Sequence, residues 1–476
     1  MLILLGILLA AVVILLGICL VRAATCPKTI GEPIATDPAR AAAYAEKLSA
    51  MVRCETVSRR GDTDTAKFLA FHKVLEEQFP TVFARMEKIE LDGNLLMKWT
   101  GKGNAKPILL MAHMDVVPAN SEGWRYPPFS GTIADGAVWG RGAMDTKCSL
   151  LGFYQAAEEL LQEGFEPEGD IYLASSCTEE IGGDGAPKIV SWLKEHGVML
   201  GMVLDEGGGV IDNAAGLPGK HSMIALGERG QGDIRFIARS AGGHASTPPK
   251  NTPLVRLGRF MADCEKNNPF RRELSSTVRA TFETAAETCP FWMKLIFCNF
   301  WLFGPLFKVL LPMINSSGEA LLQTTMAFTM ASGSNGYNVI PREASVCANI
   351  RFSTHQNMEE SLELLRKRAA KYDIEMELIQ GNPASSVLDV NGPAYRQISA
   401  LAGKLFPEAT VSPFFSTGAT DARFFADVTE HTVRFAPIVL NSQQYGSMHA
   451  VDENIGVASI PRTVDFFREV IKTVRI

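Results

Sequence analysis

Three short apolar runs, each breaking into a polar loop, constrain this chain more than any other feature. KPILLMAH (106–113) ends in His113 and continues into Met114 and Asp115. DIYLASS (170–176) runs on to Glu179 and Glu180, and MVLDEGG (202–208) carries Asp205. Between the first two lies DTKCSLLGFYQAAEELLQEG (145–164), apolar at helical spacing, with Asp145 and Thr146 as start signals and Gly164 as a stop. This alternation of strand, loop and helix predicts an α/β sandwich on a largely parallel central sheet. In open sheets of that kind, ligands sit beyond the carboxyl ends of the strands, where residues distant in sequence converge.

At 476 residues the chain has room for two or three domains, and 46% apolar content is ample for their cores. A formal net charge of −6 argues against a nucleic-acid partner. Nine cysteines without a CxxC pair exclude zinc-ribbon and thioredoxin readings and give no disulfide framework. There is no GxSxG elbow, which sets aside a serine hydrolase. From about 228 to 354 the pattern changes. QGDIRFIARSAGGHAS (231–246) and NVIPREASVCANIRFST (338–354) alternate as strands solvated on one face, which predicts an inserted α+β lid with an antiparallel sheet. The expected organisation is an N-terminal apolar segment (1–22), a linker (23–37) and a catalytic domain in two parts (38–227 and 355–476), with the lid (228–354) between them.

The first 21 residues, MLILLGILLAAVVILLGICLV, carry no side-chain charge and are long enough to span a bilayer. The run exceeds a usual signal-peptide core and lacks a basic n-region, which favours a retained membrane anchor. Arg22-Ala23-Ala24 leaves a cleaved signal and a secreted product as the competing reading. Arg22 and Lys28 favour a cytoplasmic body, while a signal-anchor would place the body outside; both stay open. A second apolar run, PFWMKLIFCNFWLFGPLFKVLLPMI (290–314), is interrupted by Lys294, Pro305 and Lys308 and does not read as a spanning helix. It reads either as a buried helical pair or as a greasy lid facing membrane or a hydrophobic substrate.

The polar loop residues have the character of metal ligands. His113, Asp145, Glu179, Glu180 and Asp205 follow the predicted strands, and YGSMHAVDE (445–453) adds His449 late in the chain. Imidazole with carboxylate suits zinc, manganese or cobalt, and the lack of thiolates argues against a structural zinc site. The set is too large for one tetrahedral ion. It suits two divalent cations about 3.5–4 Å apart that share a carboxylate. Asp115, two residues after His113, is placed to accept the ring's second N–H. Singly, Asp145 would be a helix cap, Glu179-Glu180 a solvated turn, and either histidine an ordinary satisfied one; their joint placement at strand ends is what singles them out.

The motifs AHMDVVP, GRGAMDTK, TEEIGG, LDEGG, GGHAS, NVIP and MHAVDE, in that order, resemble the metallopeptidase family of acetylornithine deacetylase, succinyl-diaminopimelate desuccinylase, aminoacylase and carboxypeptidases G and S. The resemblance covers roughly residues 38–476. It implies a zinc-peptidase-like α/β/α sandwich with a ferredoxin-like lid, and two metal ions, most often zinc. In that pattern Asp145 is the bridging ligand, His113 and Asp205 complete one site, and Glu180 and His449 the other. Glu179 is the general base toward the attacking water, with Asp115 beside His113. His244 reaches in from the lid, of its own chain or of a partner subunit, to stabilise an oxyanion. Asn338 and Arg351 hold the substrate's carboxylate, and the turn containing Gly418 and Thr420 contacts substrate. Thr146 stands where many relatives have Asp or a small residue. The 290–314 insert resembles the carboxypeptidase S branch, which includes Gly-X carboxypeptidases and enzymes of N-fatty-acyl amino acids.

The expected function is a metal-dependent hydrolase of N-acyl amino acids or of the C-terminal bond of small peptides, membrane-associated through residues 1–22 and monomeric or homodimeric. The alternative is a non-catalytic membrane-tethered binding module on the same fold, which predicts an eroded constellation; here every position is filled.

Overall fold

A computed structural model describes residues 2–314, 316–416 and 418–476. Its centre is a ten-stranded sheet whose middle strands are Ile171–Ser176, Ile108–His113, Met202–Asp205 and Thr432–Arg434, mutually parallel. The strands Ile108–His113 and Ile171–Ser176 are buried along their whole length, as their unbroken apolar character requires. The sheet is mixed rather than largely parallel. Glu87–Leu91 and Asn94–Trp99 extend one side antiparallel, and Lys220–Glu228 pairs antiparallel with both Gly209–Asp212 and Thr432–Arg434 on the other. Glu87–Leu91 with Asn94–Trp99, and Gly209–Asp212 with Lys220–Glu228, are each joined by a short loop, and a short loop reverses direction where a helix crossover would preserve it.

Helices cover both faces. On one, Lys147–Gln162 packs against Ile460–Thr473 and Pro38–Val52. Its first turn follows Asp145 directly, so the loop's carboxylate is carried by a helix buried on nearly every side. On the opposite face, Gly185–Glu195 buries Ile189, Val190 and Leu193 against Leu109, Met111 and Tyr172. A sheet covered on both faces leaves only the strand ends open to solvent, and the strand ends carry the polar residues.

The lid is a four-stranded antiparallel sheet in the order Thr325–Ser332, Glu343–Phe352, Gly230–Arg239, Glu375–Asn382. Helices Pro253–Lys266 and Met358–Ala370 close its apolar face over Ile234, Phe236, Phe260, Val346 and Leu365. The boundary expected at 354 is therefore too early. Gly230–Arg239 has two ladder edges, Glu343–Phe352 fills only one, and its other partner comes after the next helix. Nor does everything within 228–354 join the lid. Ser276–Ala285, Phe291–Phe297 and Phe300–Ile314 pack together around Phe282, Phe297 and Phe300, and with Leu217 and Phe415 of the catalytic domain. Thr281 Oγ1 donates to Pro413 O at 2.6 Å, fastening this helical insert to the strand Thr410–Ser416.

Candidate metal centre

The carboxyl ends of Ile171–Ser176, Ile108–His113 and Met202–Asp205 stand side by side in the sheet, and their loops meet there. His113 Nε2 lies 3.1 Å from Asp145 Oδ1 and 3.6 Å from Glu206 Oε1. His449 Nε2 lies 3.0 Å from Asp145 Oδ2 and 3.0 Å from Glu180 Oε2. Asp145 thus stands between two imidazoles, one on each oxygen. The atoms of His113, Asp145 and Glu180 fall within 4.8 Å of one another, and so do those of His113, Glu179 and Glu206. Glu180 Oε1 is buried with no hydrogen-bond partner among the described residues.

The electrostatics fit cations. Burial, with Glu206, Asp421 and Asp115 adding to it, holds the Glu179 carboxyl well above the usual carboxylate range despite His113. Burial and Asp145 do the same to Glu206. Hydrogen bonds to Asp145 and Glu180 push His449 up to about 10. Burial opposes protonation of His113, but Asp115, Asp145 and Glu206 prevail and hold its pKa well above the ordinary value. Carboxylates that repel one another and imidazoles forced to carry protons form the charge pattern that divalent cations relieve. With the orphaned Glu180 oxygen, the donor set fits two such ions.

Asp205 is not among the converging groups. Its Oδ1 accepts the Glu206 N–H at 2.8 Å and its Oδ2 the Ala422 N–H at 2.7 Å, so both oxygens serve the backbone. The carboxylate facing His113 is its neighbour, Glu206. The backbone is extended at the end of this strand, so Asp205 and Glu206 point to opposite sides and only Glu206 faces the site. The signal was present in LDEGG, but which acid faces in depends on where the strand stops.

Asp115 also has a different task from the one expected. The Asp115 backbone carbonyl accepts from His113 Nδ1 at 2.9 Å, while its carboxylate is 3.5 Å from that nitrogen. The carboxylate instead accepts Ser58 Oγ–H at 2.6 Å and the N–H groups of Glu179 at 3.1 Å and Glu180 at 3.2 Å. It fixes the loop that presents both glutamates. A second buried acid, Glu453, went unassigned in the sequence although it sits four residues after His449. Its Oε1 accepts the N–H groups of Met144 and Asp145, and its Oε2 accepts Arg141 Nη1 at 2.5 Å. Arg141 Nη2 donates to Ala450 O at 2.9 Å. The loops bearing Asp145 and His449 are thereby tied together.

A cavity of about 300 Å³ opens over the cluster, lined by Asp145, Glu179, Glu180, Glu206 and His449 on one side and by Gly418 and Thr420 on another. Phe414, Ile438, Leu440 and Met448 give it an apolar wall. The lid residues are not in it. His244 is exposed, with Nδ1 accepting from Ser246 N–H at 3.2 Å, on a two-stranded ribbon with Val339–Ile340. Asn338 is exposed on the same ribbon, its carbonyl accepting the Ala245 N–H. Arg351 lies in the lid sheet, donating to Gln231 Oε1 at 2.9 Å.

Residues 109–473 match the model of peptidase family M20/M25/M40. The chain belongs to this family. M20 relatives in sequence include the N-fatty-acyl-amino acid synthase/hydrolase PM20D1 of Homo sapiens, 32% identical over 90% of this chain and 87% of that protein. A probable carboxypeptidase S-like 2 of Dictyostelium discoideum is 31% identical over 90% of this chain and 84% of its own. In structure, the M20 metallo-carboxypeptidase Sso-CP2 of Sulfolobus solfataricus superposes with a TM-score of 0.65 at 17% identity, covering 92% of this chain and 99% of that one. The M20 fold thus extends across catalytic domain and lid alike, and this protein is a hydrolase of the metallopeptidase type.

Proposed function

We propose that this M20 hydrolase uses two divalent cations to cleave the amide bond of N-acyl amino acids, or the C-terminal peptide bond of small peptides, and prefers hydrophobic acyl groups or residues. The observation that carries the reading is the pair of imidazoles on opposite oxygens of Asp145, with Glu179, Glu180 and Glu206 at the floor of one cavity. His113 and Glu206 would hold one cation, His449 and Glu180 the other, and Asp145 both; zinc is the expected ion, with cobalt and manganese also suited to these donors. Bound there, the cations acidify water and polarise an amide carbonyl.

The chain's own groups do the rest. Glu179 takes the proton of the attacking water and delivers it to the leaving nitrogen, as base and then acid. His244 donates to the developing oxyanion, brought in by closure of the lid over the cavity or supplied by a second copy. Asn338, on the same ribbon, and Arg351 hold the substrate's free carboxylate, with Gly418 and Thr420 against the acyl side. The apolar wall of Phe414, Ile438, Leu440 and Met448 favours a long acyl chain. The N-terminal helix Leu2–Ala24 is retained as a membrane anchor.

The test is a panel of N-acyl amino acids and dipeptides assayed with zinc, cobalt or manganese. Glu179→Gln should lose about 100–10,000-fold in turnover with its metal content unchanged. Full activity in that variant would remove the proposed base. Equal rates on N-acetyl and N-oleoyl amino acids would overturn the acyl preference.

A further inference from the structure

The helical insert carries an apolar face that, among the described residues, nothing in the catalytic domain covers. Phe300–Ile314 turns Phe300, Phe307 and Leu311 toward the insert's core. Its other side exposes Trp301, Leu302, Leu306, Val309, Leu310 and Met313, which at about 100° per residue fall on one half of the helix. Leu306 is 54% and Met313 77% exposed, and in the preceding helix Trp292 is 63% exposed. Soluble surfaces rarely leave so continuous an apolar stripe open to water.

What lies beside this stripe indicates its partner. The helix Leu2–Ala24 has 23 residues, about 35 Å at 1.5 Å per residue, which is enough to cross a hydrocarbon core of about 30 Å. Its last turns pack on Phe291–Phe297, burying Cys19 and Ala23. The joint is polar and specific. Asn299, fully buried, donates to Cys19 O at 3.1 Å, and Arg22 Nε donates to Cys298 O at 2.9 Å. Beyond the helix, the linker is held as well: Glu287 accepts from Thr29 Oγ1 at 2.9 Å and from Ile30 N–H at 3.0 Å. The insert is thus fixed against the point where the spanning helix would leave the bilayer. Phe300–Ile314, 15 residues long and bent by 103° from its predecessor, is too short at about 22 Å to cross itself.

We infer that Phe291–Met313 is a second membrane contact, lying in the headgroup and upper acyl region of the leaflet from which the N-terminal helix emerges. Trp292 and Trp301 are suited to that depth, where amphipathic rings are enriched, and Lys294 and Lys308 can extend their ammonium groups to the headgroups. The leaflet assigned to this contact rests on the reading of Leu2–Ala24 as a retained anchor, while the contact itself does not. It gives the catalytic body a fixed orientation on the bilayer instead of leaving it on a flexible tether. The strand Thr410–Ser416 separates the two surfaces: Phe415 packs into the insert while Phe414 lines the cavity. The apolar wall of the cavity therefore backs, across this strand, onto the core of the insert whose outer helices face lipid.

The experiment uses the full chain in phosphatidylcholine vesicles with and without brominated acyl chains, read by intrinsic tryptophan fluorescence. Brominated lipid should quench the native protein, and Trp292→Phe/Trp301→Phe should lose that quenching. Leu306→Glu/Leu310→Glu, which keeps both tryptophans and alters only exposed positions, should also reduce it. Quenching unchanged in the double Phe variant would overturn the inference. So would tryptophans at 292 and 301 reached by aqueous iodide, or shielded from both quenchers as by a second copy. Alkaline carbonate extraction separates the anchor from the insert. Release with quenching retained overturns the anchor alone and supports the insert contact; release with quenching lost overturns both.

Discussion

Glu453 offers the sharpest test of how this centre is held together. It is wholly buried and accepts three donors, two backbone N–H groups from the Asp145 loop and the Arg141 guanidinium. Arg141 is itself buried and continues to Ala450 in the His449 loop. That second loop needs holding: His449 and Asp452 sit at φ of 58° and 61°, a region that costs a residue with a Cβ about 1–2 kcal/mol. Glu453→Ala removes one side of a buried ion pair and leaves the other charge uncompensated, a loss of about 3–5 kcal/mol. The unpaired N–H groups of Met144 and Asp145 place the expectation at the upper end of that range. Arg141→Met combined with Glu453→Ala should recover about 0.5–3 kcal/mol relative to the sum of the single changes. Denaturant unfolding of the two single variants and the double variant, all in chelator, measures this without a contribution from metal. Calorimetric zinc titration should then show about 10–100-fold weaker binding for Glu453→Ala. A loss below about 1 kcal/mol, the value of an exposed pair, would refute the reasoning, as would strictly additive variants or unchanged zinc affinity.

Three other outcomes follow from the geometry. Glu206→Ala should lose one of the two bound ions in a metal analysis, while Asp205→Asn should keep both and lose about 1.5–3 kcal/mol of stability from a weakened carboxylate–backbone clamp; the reverse pattern would restore Asp205 as the ligand. His221 is buried and its pKa lies below the ordinary 6.5, chiefly from desolvation, so below pH 6.5 the unfolded chain takes up a proton that the folded one refuses. Stability should therefore fall as pH drops below 6.5, by at most about 1.4 kcal/mol per pH unit from this group, and His221→Gln should show a shallower decline in Tm. Gly208 sits at φ +76°, and a Cβ there would lie 2.1 Å from Met223 O, so Gly208→Ala should displace the cavity floor and cost about 1–3 kcal/mol or more, seen as a lowered Tm together with lost turnover.

The sequence by itself determined the architecture and most of the chemistry, because both are written locally. Apolar runs of strand length and a helix of regular spacing dictate a covered sheet, and a covered sheet leaves its polar residues only the strand ends. His113, Asp145, Glu180 and His449 were legible there as residue types that suit a cation, even though 336 positions separate the first from the last. Tertiary structure alone decided matters of direction and partnership. Asp205 and Glu206 are neighbours of the same charge, and the end of a strand sets which of them faces His113. Glu453 is one acid among many until folding buries it against Arg141. The lid's last strand lies beyond a helix because Gly230–Arg239 has a second edge to fill, which no local pattern records. The insert at 290–314 read as either a buried pair or a greasy surface, and its helix has two sides, one packed on Phe282 and Phe297 and the other exposed. Composition gives the sum of those faces, and only packing separates them.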